Sequence, residues 1–480
     1  MKIKLWPCWC LLGLWLGGCD PGQLAENQPP ETEFFLDEVG LDSVRLATVV
    51  RVHWLGRDTD GYVSGYELSI DQGEWFFTTQ TDSVFRFDIP AGSLDADVEL
   101  RVRAVDNLGA ADPEPAQLVL PVRNTPPEAL FDVTLTLPDT VNSVLSFTWS
   151  VNDLEGRQTV DSVFLRANEG EWYYLPPEIT FATLMPEDTR TPGLQGGQLF
   201  LGSEARLQDE RLPGLINGGN NRIYLRARDL SGAFSQVDTL REFYLKPQSH
   251  DLLIVNAHQR SEAAAFTRAT FDDIASGDYD WLDLRSNLPN FWEPTFSLYL
   301  RLYDKVYWFD DGQPIAGQGE TYILEQVANG FQAYLNAGKK LMISTTFNPV
   351  FNDPSRQAQS LIFDFSPADS ISSSSGQARL PRGATVYGQG AWANLDTLRA
   401  SAFLTGVDPF YPKSEENALA EAALTPVGGW TGPAVIAGRA TFSNNQTNQV
   451  FFSVEIHLLN EEPQALRSWF DYIFNTEFDW

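Results

Sequence analysis

Cysteine is scarce in this chain and confined to its start. Of 480 residues, only Cys8, Cys10 and Cys19 are cysteines. Nothing from residue 20 onward can therefore form a disulfide, supply a thiolate nucleophile or hold a metal through sulfur. Histidine is nearly as rare: His53, His250, His258 and His457 are all there are, which confines imidazole chemistry to a few positions. Positive charge is also short. Thirty-three Lys and Arg face 64 Asp and Glu, a net −31, and a field of that sign repels nucleic acid and anionic lipid. No nucleic-acid partner and no cofactor are expected. No apolar run reaches the roughly 20 residues that a spanning helix needs. Apolar material is nonetheless ample, at 43% hydrophobic and 12% aromatic, so the chain can build cores. Its length predicts two to four domains.

The start has a distinct grammar. Lys2 and Lys4 precede an apolar run from Leu5 to Leu16, and Gly17-Gly18-Cys19 follows. A short basic region, a short apolar region and small residues before a cleavage point read as a secretory signal over 1–18. With Cys placed directly after Leu16-Gly17-Gly18, the stretch resembles the lipobox of bacterial lipoproteins, in which the Cys is lipidated and becomes the first mature residue. The resemblance implies a permanent membrane tether through Cys19, since one acyl chain binds marginally and several hold stably. An ordinary secretory signal is the alternative. Residues 19–30, polar and Pro-rich, read as a linker lifting the first domain off the lipid surface.

Residues 31–123 carry a period-two pattern. Val98, Leu100, Val102 and Ala104 alternate with Glu99, Arg101 and Arg103, and turn signals recur at Asp58-Thr59-Asp60-Gly61 and Asp71-Gln72-Gly73. Residues 124–246 repeat the plan. Asn27-Gln28-Pro29-Pro30-Glu31 returns as Asn124-Thr125-Pro126-Pro127-Glu128, Trp54 as Trp149, and Gly73-Glu74-Trp75 as Gly170-Glu171-Trp172. Arg103-Ala104-Val105-Asp106 returns as Arg226-Ala227-Arg228-Asp229. Such a repeat means one structural unit used twice. The second copy is longer, and its Pro- and Gly-rich stretch 176–219 is expected to be a long surface loop. The early-strand Trp and the late Ala-x-Asp-x-x-Gly resemble fibronectin type III or immunoglobulin-like β-sandwich modules, with all four repeated Trp expected in the cores. The missing Cys pair excludes antibody-type domains.

From residue 250 the texture changes. Asp251–Asn256 is a continuous apolar run, as for a strand buried on both faces. Helices are expected at 262–274, 320–336 and after Asn460. Strands are expected at 279–284, 305–309, 340–344 and 450–454, and a mobile loop at 366–376. Alternation of strand and helix predicts an α/β three-layer domain over 250–480 with a largely parallel sheet. The Pro at Lys246-Pro247-Gln248-Ser249 marks a join at which the parts are expected to fold separately.

In an open α/β sheet, ligands bind beyond the carboxyl ends of the strands. That rule selects His258, Asp310, Asp311, Ser344 and His457 as candidate catalytic residues. The helix–strand junction from Gly338 to Ser344, with the terminal Phe451-Phe452-Ser453-Val454-Glu455-Ile456-His457, resembles the class I glutamine amidotransferase-like (flavodoxin-like) fold. In catalytic members of that family, a Cys on a Gly-flanked turn follows the equivalent strand, and a His is followed two residues later by Glu. Here Ile343-Ser344-Thr345-Thr346-Phe347 offers no Cys, and His457 is followed by Leu458-Leu459. The resemblance thus implies the fold without the glutaminase reaction. A Ser344 nucleophile lacks the Gly-x-Ser-x-Gly elbow. Asp58 and Asp60 resemble the start of a Ca²⁺ loop, but the distal ligands are absent.

These residues point to a membrane-anchored cell-envelope lipoprotein that binds or scaffolds, with a protein or glycan ligand and no turnover. Two other functions stay open: an envelope hydrolase acting on carbohydrate or peptide, and a structural component of a surface assembly.

Overall fold

The computed structural model describes residues 26–36, 45–90, 92–134, 137–286, 288–289, 291–313, 322–347, 360–371, 376–442 and 446–479. The signal, Cys19 and most of the linker lie outside these residues. The chain divides into two compact units, Met1–Thr125 and Pro126–Trp480.

The first unit is a β-sandwich. Glu31–Leu36, Val49–Arg57 and Asp82–Arg86 form one antiparallel sheet. Val63–Ile70, Asp95–Asp106 and Ala116–Arg123 form the centre of the other. The alternation read from the sequence is the burial pattern: Val98, Leu100, Val102 and Ala104 all face a core that Trp54 fills.

The second unit begins with another sandwich, and the repeat is structural. In each copy the Asp that ends the late strand folds the loop back. Asp106 accepts the Leu108 and Ala110 N–H groups, and Asp229 accepts that of Ala233. Gly109 and Gly232 both take the left-handed φ that this turn needs, at 86° and 91°. The stretch 176–219 is not a loop. It supplies Phe181–Pro186, Gly193–Leu201 and Leu212–Asn217 to a six-stranded sheet, with Leu184, Leu199, Leu212 and Leu215 in the core. Its glycines serve bends and close packing: a Cβ on Gly197 would lie 2.5 Å from Leu184 Cδ1. Likewise, only Trp54 and Trp149 are core residues. Trp75 and Trp172 lie half-buried under arginine side chains.

Beyond residue 250 a nine-stranded sheet forms the centre. Its first five strands are parallel, in the order Asp280–Asp283, Leu252–Asn256, Lys305–Phe309, Lys340–Ser344 and Gln449–Phe452. Val435–Ala440, Ala418–Ala422, Thr385–Gly388 and Leu398–Arg399 continue it antiparallel. The sheet is therefore mixed, not largely parallel. Side chains alternate to two cores. Leu252, Ile254, Tyr307, Met342 and Phe452 pack with the helices Ser261–Ile274 and Pro463–Tyr472. Leu253, Val255, Trp308, Ile343 and Phe451 pack with Ala328–Asn336 and Ser360–Phe365. The helix expected over 320–336 is broken into Ile323–Gln326 and Ala328–Asn336. Ala368–Ile371 is a strand within the stretch expected to be a mobile loop.

The second sandwich and this sheet domain are packed together. Val144 joins the same apolar cluster as Phe296 and Trp308. Phe181 meets Phe291 edge to face, with centroids 4.9 Å apart, and Ser146 Oγ lies 2.6 Å from Thr295 Oγ1. The join is itself clamped: Gln248 is buried and donates to the Leu302 and His250 carbonyls.

Candidate functional site

Adjacent parallel strands end on one edge of a sheet, so the residues that follow them meet there. Ala257 and His258 follow Leu252–Asn256, Asp310 and Asp311 follow Lys305–Phe309, Thr345 and Thr346 follow Lys340–Ser344, and Glu455 and His457 follow Gln449–Phe452. Two clusters result.

The first is built on imidazoles. His258 Nε2 lies 2.9 Å from Glu455 Oε2, and its Nδ1 accepts the Arg260 backbone N–H at 3.0 Å. A nitrogen that accepts carries no proton, so the proton is on Nε2 and is donated to Glu455. Asp311 approaches Nδ1 at 3.6 Å. His457 stands edge to face with His258 at 5.1 Å, its Nε2 3.8 Å from the same Glu455 oxygen. Burial, reinforced by His258, pushes the His457 imidazole down to about 4, so it is neutral at pH 7. Burial works to raise the Glu455 carboxyl, but the His258 hydrogen bond and the neighbouring basic groups outweigh it and hold it below the usual range.

Two imidazoles and a carboxylate suit a divalent transition metal, and one ligand atom from each of His258, Glu455 and His457 falls within 4.8 Å of the others. The hydrogen bonding fits a metal poorly. A metal on His258 Nε2 would drive the proton to Nδ1, where it would face the Arg260 N–H donor. As folded, His258 is hydrogen-bonded to Glu455 and to the Arg260 N–H, and His457 stands beside the pair at 3.8 Å, beyond hydrogen-bond distance.

The second cluster surrounds Asp310, 1% exposed. Its carboxylate accepts from Trp308 Nε1 at 2.5 Å, Thr345 Oγ1 at 2.6 Å, the Gly312 N–H at 2.8 Å and Tyr322 OH at 3.2 Å. Burial pushes this carboxyl up to about 6 despite those donors. Gly312 is required by its left-handed φ of 67° and because a Cβ there would lie 2.3 Å from the Thr346 carbonyl.

Ser344 is buried between the late strand and its turn. Its Oγ donates to the Val454 carbonyl at 2.9 Å and accepts the Ile456 N–H at 3.1 Å. The structure thus joins His258, Asp311 and His457, sets Asp310 in a neighbouring network, and uses Ser344 as a strap between strands. Asp58 caps the Asp60 N–H at 3.3 Å, and Asp60 accepts the Gln28 N–H at 3.0 Å, which is a turn capped by carboxylates. Glu455 is the member that strand-end reasoning passed over; its i,i+2 spacing to His457 in Glu455-Ile456-His457 was the available signal. Tyr322 and Arg260 gave none.

An apolar cleft lies elsewhere, between the second sandwich and the sheet domain. Leu137, Val141, Leu282, Leu288, Phe296 and Tyr299 are among its lining residues, and its volume is ≈ 70 Å³, well below the several hundred Å³ typical of a ligand pocket.

No family model and no curated protein matches the chain. Similar solved structures lie among β-sandwich proteins. Fibronectin(III)-like modules of Clostridium thermocellum CbhA match at 13% identity, covering 45% of this chain and 94% of that one, with a TM-score of 0.17. A two-domain fibronectin type III segment of chicken tenascin matches at 11%, covering 45% and 99%, with a TM-score of 0.22. The PKD1 domain of Vibrio cholerae metalloprotease PrtV matches at 14%, covering 20% and 99%, with a TM-score of 0.16. The assignment of the two sandwiches rests on the strand pairing described above.

Proposed function

We propose that this chain is a cell-envelope lipoprotein, tethered through Cys19, that binds or scaffolds without turnover. Its two sandwiches would be fibronectin type III or immunoglobulin-like modules, and its sheet domain an amidotransferase-like fold that has lost its nucleophile. One observation supports the reading: three strand-end groups of catalytic type, His258, Ser344 and Asp310, are already spent on internal hydrogen bonds. Both His258 nitrogens are engaged, Ser344 Oγ both donates and accepts, and Asp310 holds four donors. General-base or nucleophilic catalysis needs a free lone pair facing the substrate. No described helix is long and apolar enough to cross a membrane, and a net charge of −31 repels anionic lipid, so the tether proposed at Cys19 would be a covalent lipid.

Two experiments test it. Cells expressing the chain should incorporate labelled fatty acid, and Cys19→Ala should abolish incorporation; label that persists in the variant removes the anchoring claim. The purified protein should show no turnover of glutamine, ester or glycoside substrates. Hydrolysis that disappears in His258→Ala would establish the hydrolase instead.

A further inference from the structure

The first sandwich leaves two large apolar side chains in water at one of its ends. Tyr62 is 68% exposed and Leu108 is 72% exposed. They stand on neighbouring loops that are bonded to each other. The Asn107 N–H donates to the Tyr62 carbonyl at 3.0 Å, and the Tyr62 N–H donates to Asn107 Oδ1 at 3.1 Å. Asp106 and the left-handed Gly109 close the second loop from within, so the pair has a stiff support.

This is also the end at which the chain enters the sandwich. Asn27 Nδ2 donates to Asp106 at 2.5 Å, the Gln28 N–H donates to Asp60 at 3.0 Å, and Thr59 Oγ1 donates to Gln28 Oε1 at 3.2 Å. Both loops are therefore tied to the incoming chain. Asn27 lies eight positions after Cys19 (27 − 19), a span of at most about 29 Å when fully extended. The twelve-residue strand Asp95–Asp106 is longer, at about 40 Å. A tether at Cys19 thus keeps the entry end nearer the lipid than the far end.

The repeat supplies a comparison within the chain. In the second sandwich the same loop-to-loop bond runs from the Leu230 N–H to the Thr159 carbonyl at 2.8 Å. Thr159 thus takes the place of Tyr62, and Ser231, next after Leu230, that of Leu108. Leu154 and Leu230 are exposed at this end of the second sandwich too, but a folded module precedes them in the chain. A single exposed apolar side chain is ordinary. Two on bonded loops at the tethered end, with hydroxyl residues at the matching places of the copy, form a patch.

We propose that Tyr62 and Leu108 dip into the surface of the bilayer that holds the tether, and so dock the first sandwich on lipid. A tyrosine suits the headgroup level, with its ring towards the chains and its hydroxyl towards water. Two side chains alone bind weakly, but the tether makes their contact intramolecular. The lipid is zwitterionic. Asp58 and Asp60 share the Tyr62 loop and the chain carries net −31, which repels anionic headgroups, while phosphatidylcholine and phosphatidylethanolamine present an ammonium. The proposal rests on the anchoring reading of Cys19.

The test uses the full lipidated chain in phosphatidylcholine vesicles. No cysteine follows Cys19, and lipidation occupies that one, so Leu108→Cys gives a single thiol for an environment-sensitive dye. The dye should brighten, shift to the blue and be quenched by lipid carrying a nitroxide near its headgroup. The same dye on Leu230→Cys should not be quenched. Adding Tyr62→Thr, the second sandwich's residue, should weaken the quenching at position 108 and leave the melting temperature unchanged. Replacing part of the phosphatidylcholine by phosphatidylglycerol should weaken it as well. Equal quenching at 108 and 230, no quenching at 108 in a chain that has incorporated labelled fatty acid, or quenching that strengthens with phosphatidylglycerol would each overturn the docking and leave the anchor standing. A chain that incorporates no fatty acid would overturn the anchor, and the docking with it.

Discussion

His258 holds the strand-end edge together because it serves three partners at once: Glu455, the Arg260 N–H and, at longer range, Asp311. Its removal would leave the Glu455 carboxylate largely buried with its closest donor gone. His258→Ala should therefore destabilise the second unit by about 2–4 kcal/mol, as read by urea denaturation; a loss below about 1 kcal/mol would mean that water replaces the imidazole at no cost. Asp310 gives a pH signature. Its folded value of about 6 lies above the ordinary 3.8. The protonated acid thus contributes stability that is full below about pH 4 and is lost as pH rises through 6. His457, depressed to about 4, works in the opposite direction: its stability is full above its ordinary 6.5 and lost as pH falls through 4. The comparison with Asp310→Asn isolates the acid. The stability gap between wild type and this variant should shift against wild type by about 2 kcal/mol from pH 4 to 7. A gap that stays flat would show that the carboxyl does not titrate in that window.

At the scale of elements, backbone geometry decides more than propensity. Gly312 joins the Asp310 network to the turn after Lys340–Ser344, at a φ of 67° and with no room for a Cβ. Gly312→Ala should cost about 1–3 kcal/mol and loosen the Tyr322–Thr345 contact, which protein NMR of the Tyr322 ring would report; an unchanged melting temperature would place the turn outside the cooperative core. The strands Lys305–Phe309 and Lys340–Ser344 match their sequence expectation residue for residue. A run apolar on both faces has few other ways to satisfy its surface. The strands within 176–219 were hidden because Gly193, Gly196, Gly197 and Gly214 look like loop residues. Each does so for a reason local to a bend or a tight contact, which composition does not reveal.

At the scale of the molecule, the Lys246-Pro247-Gln248-Ser249 join is clamped on both sides. Gln248 bonds to Thr189 in the sandwich and to Leu302 in the sheet domain, and Arg190 pairs with Asp251. The expectation of separate folding at this join therefore meets an interface in which Val144 and Met185 of the sandwich pack into the sheet domain's apolar core. Calorimetry on fragment 126–480 should give one cooperative transition, and fragment 247–480 should melt lower and bind a hydrophobic dye through exposed Phe296 and Leu282. Equal melting temperatures for the two fragments would mean that the interface contributes nothing and that the join is a true domain boundary.

The sequence by itself determined the repeat, the sandwich pattern and the parallel strands, because period-two alternation and two-faced apolar runs follow from local geometry. It also confined any site to a few histidines and acids at the strand ends. Only the tertiary structure decided which of these meet. His258 and Glu455 are 197 positions apart, and no local pattern reports a contact of that span. Nor could the sequence show that Arg226 had lost its counter-carboxylate, since that depends on cross-strand register, which places Phe164 where the first module has Glu67. Register is set by the packing of two strands whose paired residues Phe164 and Arg226 lie 62 positions apart, so the charge balance of the outer face is a property of the folded sheet alone.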